Sequence, residues 1–588
     1  MQRLETVDLI PERDYKVGQV IPRQYSSARI PGTILATERW AAAARYRVAE
    51  DWAILALLLL ALILRLTWIA FEIPIVQGDE CEYLRIAENL LHEHRYAGLY
   101  EGLELVYPPL FPILIALLSL ATPDIEAAGT AVGLLSGLAL VAATYALARQ
   151  LYGSRAGVLA ATLVAVHPTL IQLSGTIISQ AVYLPLVVTG VLFAVRWVEE
   201  RDRFLGLLCG ACFGLAYLTR PEALAGVPVI AAMFVVTARA HRSSFGKSLL
   251  QTLPMLVMAA ALAAPYVAYL SIQTGAFHLE GKSVMNYTLA QRINAGMDPY
   301  AAGFAVGPDL HEDGPFLSVN RWIMEAPAAI PRRGLAEYLV QNSLRNAGPL
   351  RRTLLSPAFG GYLMIVLVAT GLLFRPPGRP SFAREALVFT IVVGYVVILL
   401  GQHMVALQYV VPLLPFLMIW AANGIGIVTD WIIAGTRVVA HGHNSWRTLV
   451  AMTIPCALVL ALVIPGADLS RGGAFRSDAP LEAYRKEAGL WLARRPVPPR
   501  TVMSTSNEVP YYAGATAMRL PYAPGDRALA YVRLKSPDYV VLPRQPSRVE
   551  PYYTSWLKRG IPDPAARLVH LIGAPDDPDV AIFQLGKL

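Results

Sequence analysis

Long apolar runs recur along most of this chain, and most are close to the length that a membrane-spanning helix needs. As a helix, about 20 apolar residues cross the roughly 30 Å hydrocarbon layer of a bilayer. Eleven runs meet this requirement: 52–72, 125–149, 156–173, 180–198, 203–219, 222–238, 249–271, 357–374, 385–402, 406–432 and 447–466. The pattern predicts a polytopic α-helical membrane protein with about 11 transmembrane helices.

The run at 106–121, VYPPLFPILIALLSLA, is shorter, and Pro108, Pro109 and Pro112 lie in its first turns. If this run does not cross, the basic loops between the later spans all lie on one side. The short loops on the other side then hold almost no basic residue except Arg220. Cytoplasmic loops are rich in Lys and Arg. We therefore predict an interfacial or re-entrant helix at 106–121, a cytoplasmic N-terminus and an outward-facing C-terminus.

This topology divides the chain into three predicted regions. Residues 1–50 form a basic cytoplasmic tail, and residues 51–466 form the transmembrane module. The module carries two long outer loops, 73–124 and 272–356. Residues 467–588 are predicted to form an extracytoplasmic α/β domain. There, LEAYRKEAGLWLARR has helical spacing, whereas TVMSTSN, YVVLP and VAIFQLG are strand-like and separated by turn residues.

The composition supports a membrane location. Of the 588 residues, 55% are hydrophobic and only 16% are charged, against roughly 25% charged in soluble domains. The net charge of +8 fits basic cytoplasmic loops, and without a basic patch or stacking motif it indicates no nucleic-acid partner. Cys209 and Cys212 form a CxxC inside an apolar run with no second pair nearby, so we interpret them as small core residues.

An acidic pair, Asp79-Glu80, directly follows the first span. An ionisable group at the membrane edge is costly to place there and is therefore a functional candidate. Asp79 can also be interpreted as the N-cap of a helix that starts near Cys81. Tyr83 and Tyr107 lie near the pair in sequence, and such aromatic residues with a polar tip suit a membrane interface or a sugar-binding surface.

The stretch GDECEYLRIAENLLHEHRYAGLYEGLELVYPPLFPILIALL resembles the first outer loop of the GT-C superfamily of membrane glycosyltransferases. The resemblance is to the branch of dolichyl-phosphate-mannose protein mannosyltransferases and ArnT-like aminoarabinose transferases. HPTLIQLSGTIISQAVYLPL, GLAYLTRPEAL and HMVALQYVVPLLPFL are similar to later segments of that family, in the same order. The resemblance covers roughly residues 50–430 and implies a GT-C fold with juxtamembrane helices on the outer side.

The resemblance implies an enzyme that moves a sugar from a polyprenyl-phosphate carrier to an acceptor at the outer face of the inner (plasma) membrane. Asp79 would be the general base of an inverting displacement, and Glu80 would position the acceptor or a metal. Outer-face arginines are candidate ligands of the donor phosphate: Arg220, Arg332, Arg333, Arg351 and Arg352. The other predicted substrate-binding residues are Tyr83, Tyr107, Gln180, His403, Gln408 and Tyr409. No cofactor is required; a divalent metal is possible, but no ligand cluster indicates one.

Two positions depart from the family pattern. Ser179-Gln180 stand where a second acid is expected, and Gln408 stands where an Arg usually precedes Tyr409. Both changes remove a charge, so they are compatible with an altered donor, with reliance on Asp79 alone, or with binding without catalysis. A flippase or transporter of a lipid-linked saccharide and a catalytically silent envelope scaffold remain alternatives. The acceptor, whether lipid, polysaccharide or protein, stays open.

Overall fold

The computed structural model describes residues 32–71, 75–122, 124–240, 242–325, 334–374, 382–439, 444–470, 479–545, 550 and 552–586. Most of the predicted basic tail lies outside these residues, and so do Arg332 and Arg333. The chain separates into two compact units, Met1–Trp52 and Ala53–Leu588. Apart from the start of the first helix, the features described below lie in the second unit.

Eight helices in the described residues are long and apolar enough to span a membrane: Asp51–Phe71, Ile125–Tyr152, Gln180–Glu200, Pro221–Ala240, Phe245–Thr274, Phe382–Gly401, Leu407–Gly435 and Thr448–Gly466. The first belongs to the longer helix Gly32–Phe71, and the last to Asn444–Ser470. Two further pairs pass the same test but are sharply bent: Ser154–Val166 with Pro168–Ser174, by 63°, and Leu335–Leu354 with Pro357–Leu373, by 73°. Each bend lies where a proline starts the second helix, because proline disfavours helical backbone at the residue before it.

Within the part of the chain that the structure describes, the count of spans is therefore eight to ten, compared with the predicted eleven. The predicted span at 203–219 is helical, but it is only 15 residues long, from Arg203 to Tyr217. Asp202 caps its start by accepting a hydrogen bond from the Phe204 N–H at 3.0 Å, so the helix cannot extend in that direction. The run at 106–121 forms a helix of ten residues, Leu110–Ser119, which begins directly after Pro109 and is too short to cross.

Shorter helices follow the spans on the side of the two long loops: Asp79–His92, Ser283–Asn294, Pro299–Phe304 and Val319–Glu325. The first of these, Asp79–His92, is called the loop helix below. Most of its first two turns is buried, including Glu80, Cys81, Glu82 and Tyr83. A short 3-10 helix, Pro221–Ala225, begins one span, and a 3-10 turn, Val411–Leu413, follows the first helical turn of another, Leu407–Gly435.

Contacts at the two ends of the helix Ile125–Tyr152 separate the loops into two groups. A helix of 28 residues is about 42 Å long. At one end Glu126 pairs with Lys486 of the C-terminal region at 3.6 Å. At the other end the Gln150 carbonyl accepts a hydrogen bond from Arg384 at 3.0 Å, and Arg384 also pairs with Glu199. The C-terminal region and the loop at 199–203 thus lie on opposite sides.

The C-terminal region contains a five-stranded sheet with the order β2-β1-β3-β5-β4. The strands are β1 (Thr501–Ser504), β2 (Thr516–Arg519), β3 (Tyr539–Pro543), β4 (Ala566–Ala574) and β5 (Asp577–Leu585). β1 is parallel to β2 and β3, and β5 is antiparallel to β3 and β4. The helices of this region are Ala479–Ala493, Glu508–Tyr512, Gly525–Lys535 and Tyr553–Arg559. The predicted α/β character is thereby observed, and the three strand-like stretches correspond to β1, β3 and β5.

The central strand β3, YVVLP, is buried at every position, because helices cover both faces of the sheet. Each of the two long loops forms a backbone hydrogen bond with this region. The Ala517 N–H of β2 donates to the Leu99 carbonyl at 2.9 Å, and the Tyr522 N–H donates to the Phe304 carbonyl at 2.8 Å. The two loops and the C-terminal region consequently form one continuous structure on one side of the spans.

Candidate active site

A cavity of about 500 Å³ lies where the two long loops meet the ends of the spanning helices. Its walls come from six separate parts of the chain: the loop helix, Pro108, residues 178–180, residues 217–225, residues 279–286 and residues 395–409. Seven of the residues that the sequence indicated line it: Asp79, Tyr83, Gln180, Arg220, His403, Gln408 and Tyr409. The fold therefore brings together side chains that are up to 330 positions apart.

Asp79 is the first residue of the loop helix and is open to the cavity. The N-cap is Gly78, whose φ of 54° and ψ of −121° are accessible to glycine at little cost. No side-chain hydrogen bond caps this helix, so the interpretation of Asp79 as its N-cap is wrong. The Tyr107 hydroxyl donates to Asp79 Oδ1 at 2.8 Å and orients the carboxylate. The carboxylate also gains from the positive end of the helix dipole.

Glu80 faces away from the cavity. Its Oε1 accepts a hydrogen bond from the Ile177 N–H at 3.0 Å, and its Oε2 accepts one from the Gln77 N–H at 3.1 Å. The side chain is 3% exposed. It connects the start of the loop helix to the segment before the helix Gln180–Glu200, so the structure places Glu80 in a structural contact rather than beside Asp79 in the cavity.

Arg220 and Lys282 bring positive charge to the cavity wall. Arg220 Nε lies 2.6 Å from Glu222 Oε1, and the guanidinium lies 5.5 Å from the centre of the Tyr409 ring. Lys282 Nζ lies 4.4 Å from the centre of the Tyr107 ring, the same ring whose hydroxyl holds Asp79. Burial lowers the pKa of the Lys282 ammonium, while Asp79 acts in the opposite direction.

Two further carboxylates, Glu222 and Glu280, line the cavity besides Asp79. Glu222 is paired with Arg220. Glu280 accepts a hydrogen bond from the Ser283 hydroxyl, and burial raises the pKa of its carboxyl. The cavity thus keeps acidic groups even though Gln180 stands where the family pattern places an acid.

A chain of hydroxyl and amide groups leads to Gln180. The Tyr83 hydroxyl donates to Ser179 Oγ at 3.0 Å, and Ser179 Oγ donates to Gln180 Oε1 at 3.5 Å. The ring of Tyr83 packs edge-to-face against Tyr107, with the centroids 5.0 Å apart. This packing fixes the tyrosine that orients Asp79.

His403, Gln408 and Tyr409 come from the segment between the last cavity-lining spans. Arg345 holds this segment by donating to the His403 carbonyl at 2.7 Å. Burial, with smaller effects from Arg345 and Lys282, lowers the pKa of His403 to about 4, so the imidazole is neutral near pH 7. A neutral imidazole can donate or accept a hydrogen bond but adds no charge to the site.

Arg351 and Arg352 do not line the cavity. Both are exposed near the end of the helix Leu335–Leu354. They follow Leu350, which is on the buried face, and so point about 100° and 200° away from it around the helix. Their predicted role in substrate binding has no support in this position.

Lys282, Glu280 and Tyr395 are cavity residues that the sequence interpretation did not include. Glu222 was also missed as a site residue, although it follows Arg220 by two positions and that proximity was a usable signal. Lys282 and Glu280 lie in a mixed polar loop, HLEGKS, where nothing in the local pattern distinguishes them from surface charge.

A second, apolar cavity of about 270 Å³ adjoins the first between the spans. Its wall includes Tyr183, Val187, Ile391 and Phe416. The two cavities share four lining residues: Glu222, Ala225, Tyr395 and Ile398. Among the described residues, no group of three or more His, Cys, Asp or Glu side chains is arranged to hold a metal ion.

The family model described as dolichyl-phosphate-mannose-protein mannosyltransferase matches residues 106–269 of this chain. Among solved structures, the oligosaccharyltransferase of Archaeoglobus fulgidus, tethered to an acceptor peptide, is similar at 14% identity and a TM-score of 0.54. That match covers 83% of this chain and 68% of the other. ArnT from Cupriavidus metallidurans, bound to undecaprenyl phosphate, is similar at 13% identity and a TM-score of 0.51. That match covers 91% of this chain and 98% of ArnT.

No curated protein matches this chain by sequence. The two structural matches establish the GT-C fold that the sequence predicted. Together with the family model, they confirm the predicted resemblance to the protein mannosyltransferase and ArnT-like branch.

Proposed function

We propose that this protein is a glycosyltransferase that takes a sugar from a polyprenyl-phosphate carrier and transfers it to an acceptor on the outer side of the plasma membrane. The observation that carries the proposal is the junction of the two cavities. A polar space lined by the Asp79 carboxylate and two cationic side chains opens into an apolar space between spanning helices. An amphiphile with a phosphate head and a hydrocarbon tail matches both halves.

Arg220 and Lys282 are the proposed ligands of the donor phosphate. Charge-assisted hydrogen bonds to phosphate are among the stronger polar contacts in proteins, and an arginine offers several donors to them. The salt bridge to Glu222 holds Arg220 in the wall without a ligand. ArnT from C. metallidurans and the A. fulgidus oligosaccharyltransferase have been solved with undecaprenyl phosphate and dolichol phosphate, respectively, which supports a carrier of this kind.

The lipid tail is proposed to occupy the apolar cavity. Its wall is almost entirely aliphatic and aromatic, and Tyr395 stands at the boundary with the polar cavity. Burying hydrocarbon there contributes roughly 25 cal/mol for each Å² removed from water. The tail would therefore supply binding energy, and the phosphate would fix the position of the anomeric carbon.

In the proposed reaction, a hydroxyl oxygen of the acceptor attacks the anomeric carbon of the donor. The bond between that carbon and the phosphate oxygen breaks, and polyprenyl phosphate leaves with the electron pair. Asp79 takes the hydroxyl proton, and the positive charges of Arg220 and Lys282 stabilise the leaving phosphate. A single displacement inverts the anomeric centre. The hydrogen bond from Tyr107 keeps Asp79 in one orientation throughout.

The experiment is transfer or hydrolysis by the purified protein, supplied with a panel of undecaprenyl-phosphate sugars and assayed for release of undecaprenyl phosphate. Asp79→Asn keeps the shape of the side chain but removes the proton acceptor. It should lower the rate about 10²- to 10⁴-fold, with donor affinity near that of the parent. Glu101→Gln, an exposed carboxylate in the same loop, is the matched control and should keep the parental rate.

Two results would contradict this proposal. If Asp79→Asn released undecaprenyl phosphate at the parental rate, Asp79 would not be the general base. Tight binding of undecaprenyl phosphate without release from any donor would favour the flippase or the silent scaffold, since both alternatives bind a carrier without breaking its glycosidic bond.

A further inference from the structure

We infer that Asn507 and Glu508 of the C-terminal region are positioning residues for Asp79, because they hold the two peptide groups that flank Gly78. The Gly78 N–H donates to Glu508 Oε1 at 2.8 Å. The Gly78 carbonyl accepts from Asn507 Nδ2 at 3.0 Å. Two adjacent residues, about 430 positions away in sequence, thus hydrogen-bond to Gly78, the residue before the proposed base. This inference rests on the proposed role of Asp79.

The two hydrogen bonds act on a glycine, the residue whose backbone has the widest range of conformations. Gly78 has a positive φ, and glycine loses more conformational freedom on folding than any other residue. The peptide group between Gly78 and Asp79 carries the carbonyl that Asn507 holds. Fixing that group fixes where the loop helix begins, and with it the direction in which the Asp79 carboxylate enters the cavity.

Asn507 is itself held in one orientation. Its Oδ1 accepts hydrogen bonds from the Tyr100 hydroxyl at 2.7 Å and from Arg519 Nη2 at 2.6 Å. Arg519 Nε also donates to the Tyr100 hydroxyl at 2.6 Å. With its oxygen used in this way, the amide must direct its N–H groups towards Gly78. Asn507 and Glu508 are 6% and 4% exposed, so loss of a partner leaves a polar group without water to replace it.

The position of the two residues in the sheet gives this contact a structural origin. They lie three and four residues after the end of β1, which lies between the parallel strands β2 and β3. In α/β sheets, ligands bind at the carboxyl ends of parallel strands, where the strand order changes direction. Here the first outer loop of the same chain, from Gly78 to Tyr100, contacts that edge. The C-terminal region therefore binds the catalytic loop where related sheets bind a ligand.

Other contacts still join the loop helix to the C-terminal region when the hydrogen bonds of Asn507 and Glu508 to Gly78 are removed. The Val76 N–H donates to the Tyr512 hydroxyl at 3.3 Å, and Arg85 donates to the Tyr511 carbonyl at 2.9 Å. Tyr512→Phe removes one such contact without touching Gly78. It is the matched control for a variant of Asn507.

The experiment uses the full-length protein with Asn507→Asp, which keeps the shape and the acceptor oxygen for Tyr100 and Arg519 but removes the donor to Gly78. We expect kcat for transfer to fall about 10- to 100-fold, with the affinity for undecaprenyl phosphate within twofold of the parent, since Arg220 and Lys282 are untouched. Glu508→Ala should behave in the same way. Glu508→Gln keeps an acceptor for the Gly78 N–H and should restore most of the rate. Tyr512→Phe should transfer at the parental rate.

Hydrogen–deuterium exchange of the backbone around residues 76–84 gives a second readout that needs no activity. Asn507→Asp should speed exchange there about tenfold or more, and Tyr512→Phe should leave the amide of Gly78 protected. Unchanged exchange in Asn507→Asp overturns the inference. Faster exchange with an unchanged kcat also overturns it. If the parent itself does not transfer, the proposed function fails, and the exchange data still decide whether Asn507 holds Gly78.

Discussion

At the scale of single residues, the arginines of this chain separate by what surrounds them. Arg220 lies in the cavity wall beside Glu222 and the ring of Tyr409. Arg351 lies on the exposed side of its helix, away from the cavity. Both were equal candidates for the phosphate on charge alone, because a guanidinium in an outer loop carries the same charge wherever it points.

Their difference leads to a matched prediction. Arg220→Ala should weaken binding of undecaprenyl phosphate about tenfold or more, because a charge-assisted hydrogen bond contributes roughly 1.5–3 kcal/mol. Arg351→Ala should leave the affinity within twofold. Titration of each purified variant with undecaprenyl phosphate is the measurement, with thermal stability as the check on folding. A loss in Arg351→Ala and none in Arg220→Ala would move the phosphate site to the helix Leu335–Leu354.

At the scale of elements, the first turn of the loop helix carries one acid that is open to the cavity and one that is buried. Asp79 opens into the cavity, whereas Glu82 is buried and its Oε2 accepts a hydrogen bond from the Leu99 N–H at 2.7 Å. Glu104 is buried beside it, and a side chain at Gly98 would collide with both carboxylates. Burial first, and then the charge of Glu104, raises the pKa of Glu82 to about 8.

This shift predicts how stability depends on pH. Between the ordinary value of 4.5 and about 8, folded Glu82 keeps a proton that the unfolded chain has released. Since the folded state then binds more protons, the free energy of unfolding should fall as pH rises through this window and level off above it. Glu82→Gln does not titrate and should lose less thermal stability between pH 5 and about pH 8. Melting curves of the detergent-solubilised protein test this, with Glu101→Gln expected to follow the parent. Equal slopes for Glu82→Gln and the parent would show that Glu82 stays ionised.

At the scale of the whole molecule, the C-terminal region and the proposed base lie on the same side of the spans. Gly78 contacts Glu508, and Glu126 contacts Lys486, whereas Glu199 lies at the opposite end beside Arg384. The proposed reaction and the C-terminal region would therefore share a compartment. The basic loops near Glu199 lead us to predict that this compartment lies outside the cytoplasm.

Reporter fusions test that orientation. A reporter enzyme active only outside the cytoplasm, fused after Leu588, should be active. The same reporter fused after Arg201, at the end of the helix Gln180–Glu200, should be inactive. The reverse pattern would place Asp79 in the cytoplasm and would exclude an outer-face reaction.

Local pattern by itself determined the membrane class, the helical state of every predicted span and the α/β character of the C-terminal region. It could do so because burial in lipid and in a sheet core both depend on runs of apolar residues that are adjacent in sequence. The same pattern located Asp79, Tyr83, Arg220 and Tyr409, which the resemblance to GT-C segments singled out and which line the cavity. The predicted number of spans was less accurate. The run at 203–219 forms a helix of only 15 residues, because Asp202 caps its start and Pro221 begins the next helix.

Only the tertiary structure decided which charged groups meet. Glu80 and Asp79 are neighbours in sequence, yet successive helical residues point about 100° apart, so one enters the cavity and the other holds the Ile177 N–H. Lys282 and Glu280 join the site because the second outer loop folds over the first. Asn507 and Glu508 reach Gly78 across about 430 positions. A contact of that kind depends on the packing of the whole chain, and no local composition reports it.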